Sequence, residues 1–204
     1  MINVTKHKVF ISYHHANDQW YKNELLRLNE LHNIFINGSV DTGDIDERLD
    51  NQTIRQIIRD YYLKDTTVTI LLVGTETKNR KHIDWELKSS MINGSLNKKS
   101  GILVINLPST NCTYYTATHS GEKEKVHPEN DSWTSISTRA EYERRYPYLP
   151  ARIIDNLLKT EAKISVVNWN ELNIEKLRFL IHATFEDKVN CQYDLSRTMK
   201  RSNS

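Results

Sequence analysis

A chain of 204 residues, 38% hydrophobic and 26% charged, has the length of one domain with room for an elaboration, and enough apolar content for a sizeable core. Its net charge of +2 comes from scattered basic residues, with no basic stripe interleaved with aromatics, which argues against a nucleic-acid or membrane-surface partner. The opening MINVTKHKVF has no apolar signal core, no run approaches the ~18 residues of a membrane span, and Cys112 and Cys191 lack disulfide-framework or metal-ligand spacing, so the expected address is the cytoplasm, with reduced thiols.

In chain order, the first apolar run is Val9-Phe-Ile-Ser-Tyr13. It does not alternate with polar residues, as expected of a strand buried on both faces of a parallel sheet. Asn17 or Asp18 is placed to cap a helix carrying Tyr21, Leu25 and Leu28 at i, i+4 and i+7. Ile34-Phe-Ile36 suits a short edge strand. After the polar loop 38–50, Ile54, Ile57, Ile58 and Tyr61 repeat the helical spacing.

The next buried-type strand is Val68–Val73, followed by a helix with Ile83, Leu87 and Met91 on one stripe, stopped by Asn93-Gly94. Ile102–Ile105 is a further strand. Residues 107–149, rich in Ser, Thr, Tyr and charge, break the rhythm and read as an insertion between the fourth and fifth strands. A helix around Ile153, Ile154, Leu157 and Leu158, the strand Ile164–Val167 and a helix with Ile174, Leu177, Ile181 and Phe185 follow. The expected fold is one α/β domain over 1–188, a flavodoxin-like, doubly wound, five-stranded parallel sheet of order 2-1-3-4-5 with helices on both faces. Residues 189–204 are expected to form a flexible polar tail.

In such a sheet ligands bind beyond the carboxyl ends of the strands, where the strand order reverses. That point lies between the first strand, ending Ser12-Tyr13-His14, and the third, ending Gly74-Thr75-Glu76, overlooked by the helix through Met91. On that helix His82, Glu86 and Ser90 share one i, i+4 line beside the apolar stripe, so Glu86 borders the buried face. Desolvation there perturbs a carboxyl pKa, although spacing alone is also met by an ordinary salt-bridged glutamate. Ser12, Tyr13 and His14 are candidates for contacts to ribose, phosphate or base, and equally for an ordinary strand end. Trp85 is either a stacking residue for a base or a packing tryptophan. Lys78, Arg80 and Lys81 are either a pyrophosphate clamp or a solvated face. His14-His15 has no partner at metal-ligand spacing, and Asp41, Asp44 and Asp46 do not fit a calcium loop.

Val9–Tyr13 with Asp18 following is similar to the opening strand and turn of TIR domains, and 38–50 stands where their BB loop stands. His82-Ile-Asp-Trp-Glu86-Leu87 resembles the family's Trp-Val-x-x-Glu-Ile helix, with His82 departing from the usual tryptophan. The likeness covers about residues 8–107 and is nearest to the TIR-like proteins of the bacterial Thoeris antiphage system. It implies an enzyme with Glu86 as the catalytic residue, cleaving the nicotinamide–ribose bond of NAD as substrate. No metal or organic cofactor is implied. Ser12, Tyr13, His14, His82 and Trp85 would line the substrate site. The product would be a linear or cyclic ADP-ribose-type signal, read by a separate effector protein in antiviral defence. Self-association through the BB-loop region is compatible with the likeness, as is the alternative of a non-enzymatic TIR-like interaction module. The motifs G-x-G-x-x-G and G-x-x-x-x-G-K-[ST] are absent, and Gly74 stands where a receiver domain needs an aspartate.

Overall fold

The computed structural model describes residues 5–38, 50–94 and 98–203. Five strands, β1 (Lys8–Ser12), β2 (Ile36–Asn37), β3 (Val68–Val73), β4 (Gly101–Asn106) and β5 (Ser165–Asn168), form one sheet of order β2-β1-β3-β4-β5. Every neighbouring pair is parallel. The helices are α1 (His15–His32), α2 (Asn51–Ile57), α3 (Lys81–Met91), α4 (Glu122–Val126), α5 (Arg139–Arg145), α6 (Ala151–Leu157) and α7 (Ile174–Asp187).

β3 and β4 are buried along their whole length, because alternate side chains enter two different cores. Ile70, Leu72, Leu103 and Ile105 meet Leu25 of α1 and Leu177, Leu180 and Ile181 of α7. Leu71, Val73, Ile102 and Val104 meet Ile83, Leu87 and Met91 of α3 and Ile153 and Ile154 of α6. This two-sided burial is what continuous apolar runs encode. α7 lies so close to β4 that a Cβ on Gly101 would stand 2.4 Å from the Thr184 carbonyl oxygen.

Several local expectations are corrected. α1 is not capped by Asn17 or Asp18. It starts at His15, the His14 carbonyl accepts the Asn17 and Asp18 amides, and Asp18 is buried in the first turn. α2 runs into a widened π turn, Ile58–Tyr62, closed by the Leu63 amide on the Ile58 carbonyl. The extra residue rotates Tyr61 out to 73% exposure while Ile58 stays buried. The Ile54 side chain and residues 39–49, most of the loop likened to the BB loop, lie outside the described residues. α6 ends at Leu157, leaving Leu158 exposed.

Residues 107–149 carry α4 and α5 and add no strand to the sheet, but Thr116 makes an isolated antiparallel bridge with Val166 on the outer edge of β5. Residues 189–203, the described part of the expected tail, are not frayed. They form a strap across α3 and α6, held by its main chain and by side chains such as Arg197 on Asp155 and Tyr193 on the Ser100 carbonyl. Arg152, fully buried, grips Asp84 with both arms at 2.8 and 2.9 Å and donates to the Arg197 and Thr198 carbonyls. The Lys200 amide donates to Asp84, and the Lys200 carbonyl accepts from the Trp85 indole at 2.8 Å. Polar composition suggested disorder; main-chain bonding is invisible to composition. No helix of the described residues is long and apolar enough to cross a membrane.

Candidate functional site

The site is built where β1 and β3 end. Serine closes β1 because its small hydroxyl, 1% exposed, fits under the helix crossing above it. That helix is α3, set on the sheet by its apolar stripe and by a buried hydroxyl pair, Ser90 with Thr69 of β3, at 2.8 Å. One turn earlier on the same line, Glu86 Oε2 accepts a 2.6 Å hydrogen bond from the Ser12 hydroxyl. The i, i+4 line of the helix is therefore the line that faces the strand ends.

Glu86 keeps partial surface exposure but is packed among protein atoms. Burial raises its carboxyl to about 7, against the opposing pull of the Ser12 hydrogen bond. A second carboxyl lies close by in the fold. Asp18, in the first turn of α1, packs against Gly74 at the end of β3, and a Cβ on Gly74 would fall 2.5 Å from both carboxylate oxygens. Burial pushes Asp18 up to about 6, and its Oδ2 has no hydrogen-bond partner among the described residues.

His14 sits at the turn into α1 with its Nδ1 buried and without a hydrogen-bond partner among the described residues. Burial lowers its pKa, the Arg80 guanidinium lowers it further, and Glu76 partly offsets both. Arg80 and Glu76 stand 3.7 Å apart. Three pairs thus stand around the ends of β1 and β3: Ser12 with Glu86, Asp18 with Gly74, and His14 with Arg80. A carboxyl titrating near neutrality, aligned by a hydroxyl, can exchange a proton or act as counter-charge to a developing cation.

The other candidates make contacts of their own. Trp85 is not available for stacking a base. It is 2% exposed, packed with Phe10, Ile58 and Leu63 on the far side of α3 and covered by Met199. His82 meets Trp85 edge-on, ring centroids 5.1 Å apart, at the start of α3. Tyr13 is largely buried; its ring stacks on His15 and its hydroxyl donates to Gln19. Lys78 bonds the Pro147 carbonyl and Lys81 lies over the Trp85 ring, whereas Arg80 lies near Glu76 and acts on His14. Asp18 and Gly74 were not among the predicted site residues. Their signal is an acidic residue in the first turn after β1 together with a glycine directly after β3, meaningful only once those two ends are neighbours.

A family model described as the TIR-like domain of the Thoeris protein ThsB matches residues 10–112, about half of the chain. No curated protein and no solved structure matches. The matched stretch contains the carboxyl end of β1, all of β3 and α3, and Ser12, His14, Asp18, Gly74, Arg80 and Glu86. The chain belongs to the ThsB family of TIR-like domains.

Proposed function

We propose that this protein cleaves NAD at the nicotinamide–ribose bond and forms an ADP-ribose-type signal, linear or cyclic, that activates a separate effector in antiviral defence. The observation that carries the reading is the Glu86 carboxyl, held by Ser12 at 2.6 Å beyond the end of β1 and raised to about 7. NAD brings its own leaving group. Nicotinamide departs as a neutral base with the bond's electron pair, and the ribose carbon develops oxocarbenium character. In this reading the ionised Glu86 stabilises that charge and accepts a ribose hydroxyl, as carboxylates do in glycoside cleavage. Ser12 keeps the carboxylate oriented. Arg80 supplies positive charge for the pyrophosphate.

Capture of the cation by water yields ADP-ribose; capture by an adenine nitrogen, with the base folded back over the ribose, yields a cyclic isomer. The effector is a partner reached through the nucleotide. The test is mass spectrometry of nucleotides from cells expressing the protein, with and without phage challenge. An ADP-ribose-type product accompanied by free nicotinamide is expected. NAD left untouched under both conditions would favour an interaction module instead.

A further inference from the structure

Outside the Glu86 site, the structure contains a cleft of about 740 Å³ between residues 113–136 and the junction of α6 with β5. It lies beside β5, two strands beyond β3 in the sheet order, and shares no residue with the Glu86 site. Its volume falls within the ~300–1,000 Å³ of small-molecule sites.

The walls combine two chemistries. Tyr114 and Trp133 provide aromatic surface, and Lys123, Arg145, Lys159 and Lys163 provide charge. Not one carboxylate lines the cleft, although the chain carries 26 Asp and Glu against 28 Lys and Arg. Threonine and serine hydroxyls fill much of the remaining wall. Lys123 sits 4.7 Å over the Trp133 ring and Arg145 5.1 Å over the Tyr114 ring, so both cations are held in place by the aromatic walls. From outside the lining, Glu141 partners Arg145 and Asp194 stands 3.5 Å from Lys159. Lys163, a lining residue in a left-handed backbone conformation, makes no hydrogen bond or ion pair among the described residues. A positive field with unspent hydrogen-bond donors attracts an anion, and flat aromatic walls prefer a ligand with a ring.

We infer that this cleft is a second ligand site, taking a small anionic molecule with a flat ring, of the nucleoside phosphate class. The phosphate faces Lys159 and Lys163, and the ring lies against Trp133 and Tyr114. The site is separate from the proposed NAD-cleaving centre and stands whether or not that centre turns over.

The experiment is isothermal titration of the full chain with ADP, adenosine, inorganic phosphate and a ten-residue oligothymidylate. The hosts are the unaltered protein, Lys159→Glu/Lys163→Glu, Trp133→Ala and Glu86→Gln. ADP is expected to bind saturably, and adenosine and phosphate each at least tenfold more weakly. Affinity for ADP should fall at least tenfold in the double variant and in Trp133→Ala, with melting temperatures unchanged, while Glu86→Gln binds as the unaltered protein does. No saturable ADP binding, or binding insensitive to the lysine and tryptophan changes, overturns the inference. So does phosphate binding as tightly as ADP, which marks a plain anion site, or the oligonucleotide binding more tightly, which marks a single-strand surface. Loss of ADP binding in Glu86→Gln alone would place the nucleotide at the Glu86 site and equally overturn it.

Discussion

At the scale of single residues, everything turns on two carboxyls that the fold holds above their ordinary range. Glu86→Gln keeps the shape and the bond to Ser12 but removes the charge. It is expected to lower NAD cleavage by ~10²–10³-fold, or ~3–4 kcal/mol of transition-state stabilisation, with Glu171→Gln unaffected; initial rates of nicotinamide release check this. Activity should rise with pH through about 7, as the carboxyl ionises. Stability should run the other way. Glu86 and Asp18 titrate higher folded than unfolded, so the folded chain retains protons that the unfolded chain has released. The stabilisation is complete below the unfolded carboxylate range and is lost as pH climbs from about 4 to 7. For Glu86 the loss is on the order of 2–3 kcal/mol. Glu86→Gln should therefore melt higher than the unaltered protein at pH 8 and equal to it near pH 4. A variant inactive yet more stable at pH 8 separates chemistry from folding.

The candidate residues show where sequence reading stops at this scale. The place of Glu86 at the edge of the buried face was legible because the apolar stripe of α3 fixes which neighbours line its edge. Trp85 was not, since the far side of α3 is covered by Ile58 and Met199, from segments 27 residues before it and 114 after it, and no local spacing announces either. Asp18 was seen only as a capping residue and family marker, because its burial depends on a glycine 56 positions away.

At the scale of elements, strands and long helices were readable and irregular joints were not. Continuous apolar runs gave β3 to the residue and β1, β4 and β5 within one position at each end. The π turn after α2 escaped because one inserted residue changes the periodicity on which a stripe is recognised. Two changes probe how elements are fastened. Asp84→Ala strips Arg152 of its buried partner and is expected to cost ~3–5 kcal/mol, measured by chemical denaturation. Gly101→Ala drives a methyl into the Thr184 main chain, which cannot swing aside as a side chain would. It should cost at least ~1–3 kcal/mol by prising α7 from β4, visible as a lower melting temperature.

At the scale of the whole molecule, the sheet divides into a rigid centre and two unlike edges. β3 and β4 are buried throughout and share six register pairs, whereas β2 is two exposed residues on two pairs. Hydrogen exchange should therefore be slowest in β3 and β4, approaching the global unfolding rate, and fastest in β2; similar protection in β2 and β3 would contradict this gradient. The order of strands followed from the alternation of apolar runs and helical stripes. That residues 107–149 would lie along β5 through Thr116 could not follow, since a single bridge leaves no pattern in sequence.

The strap of residues 189–203 has a consequence for how substitutions will read out. Its bonds to Asp84, Arg152, Trp85 and Lys88 are made by the strap's own peptide groups. Thr198→Ala should therefore be nearly silent, while Met199→Ala, which uncovers Trp85, and changes at the receiving residues respond strongly. A proline scan inverts the pattern. Lys200→Pro deletes the amide that Asp84 accepts, and should loosen the strap where Lys200→Ala leaves it fastened. Along this stretch the dock reads backbone shape and length together with two side chains, Arg197 on Asp155 and Met199 over Trp85.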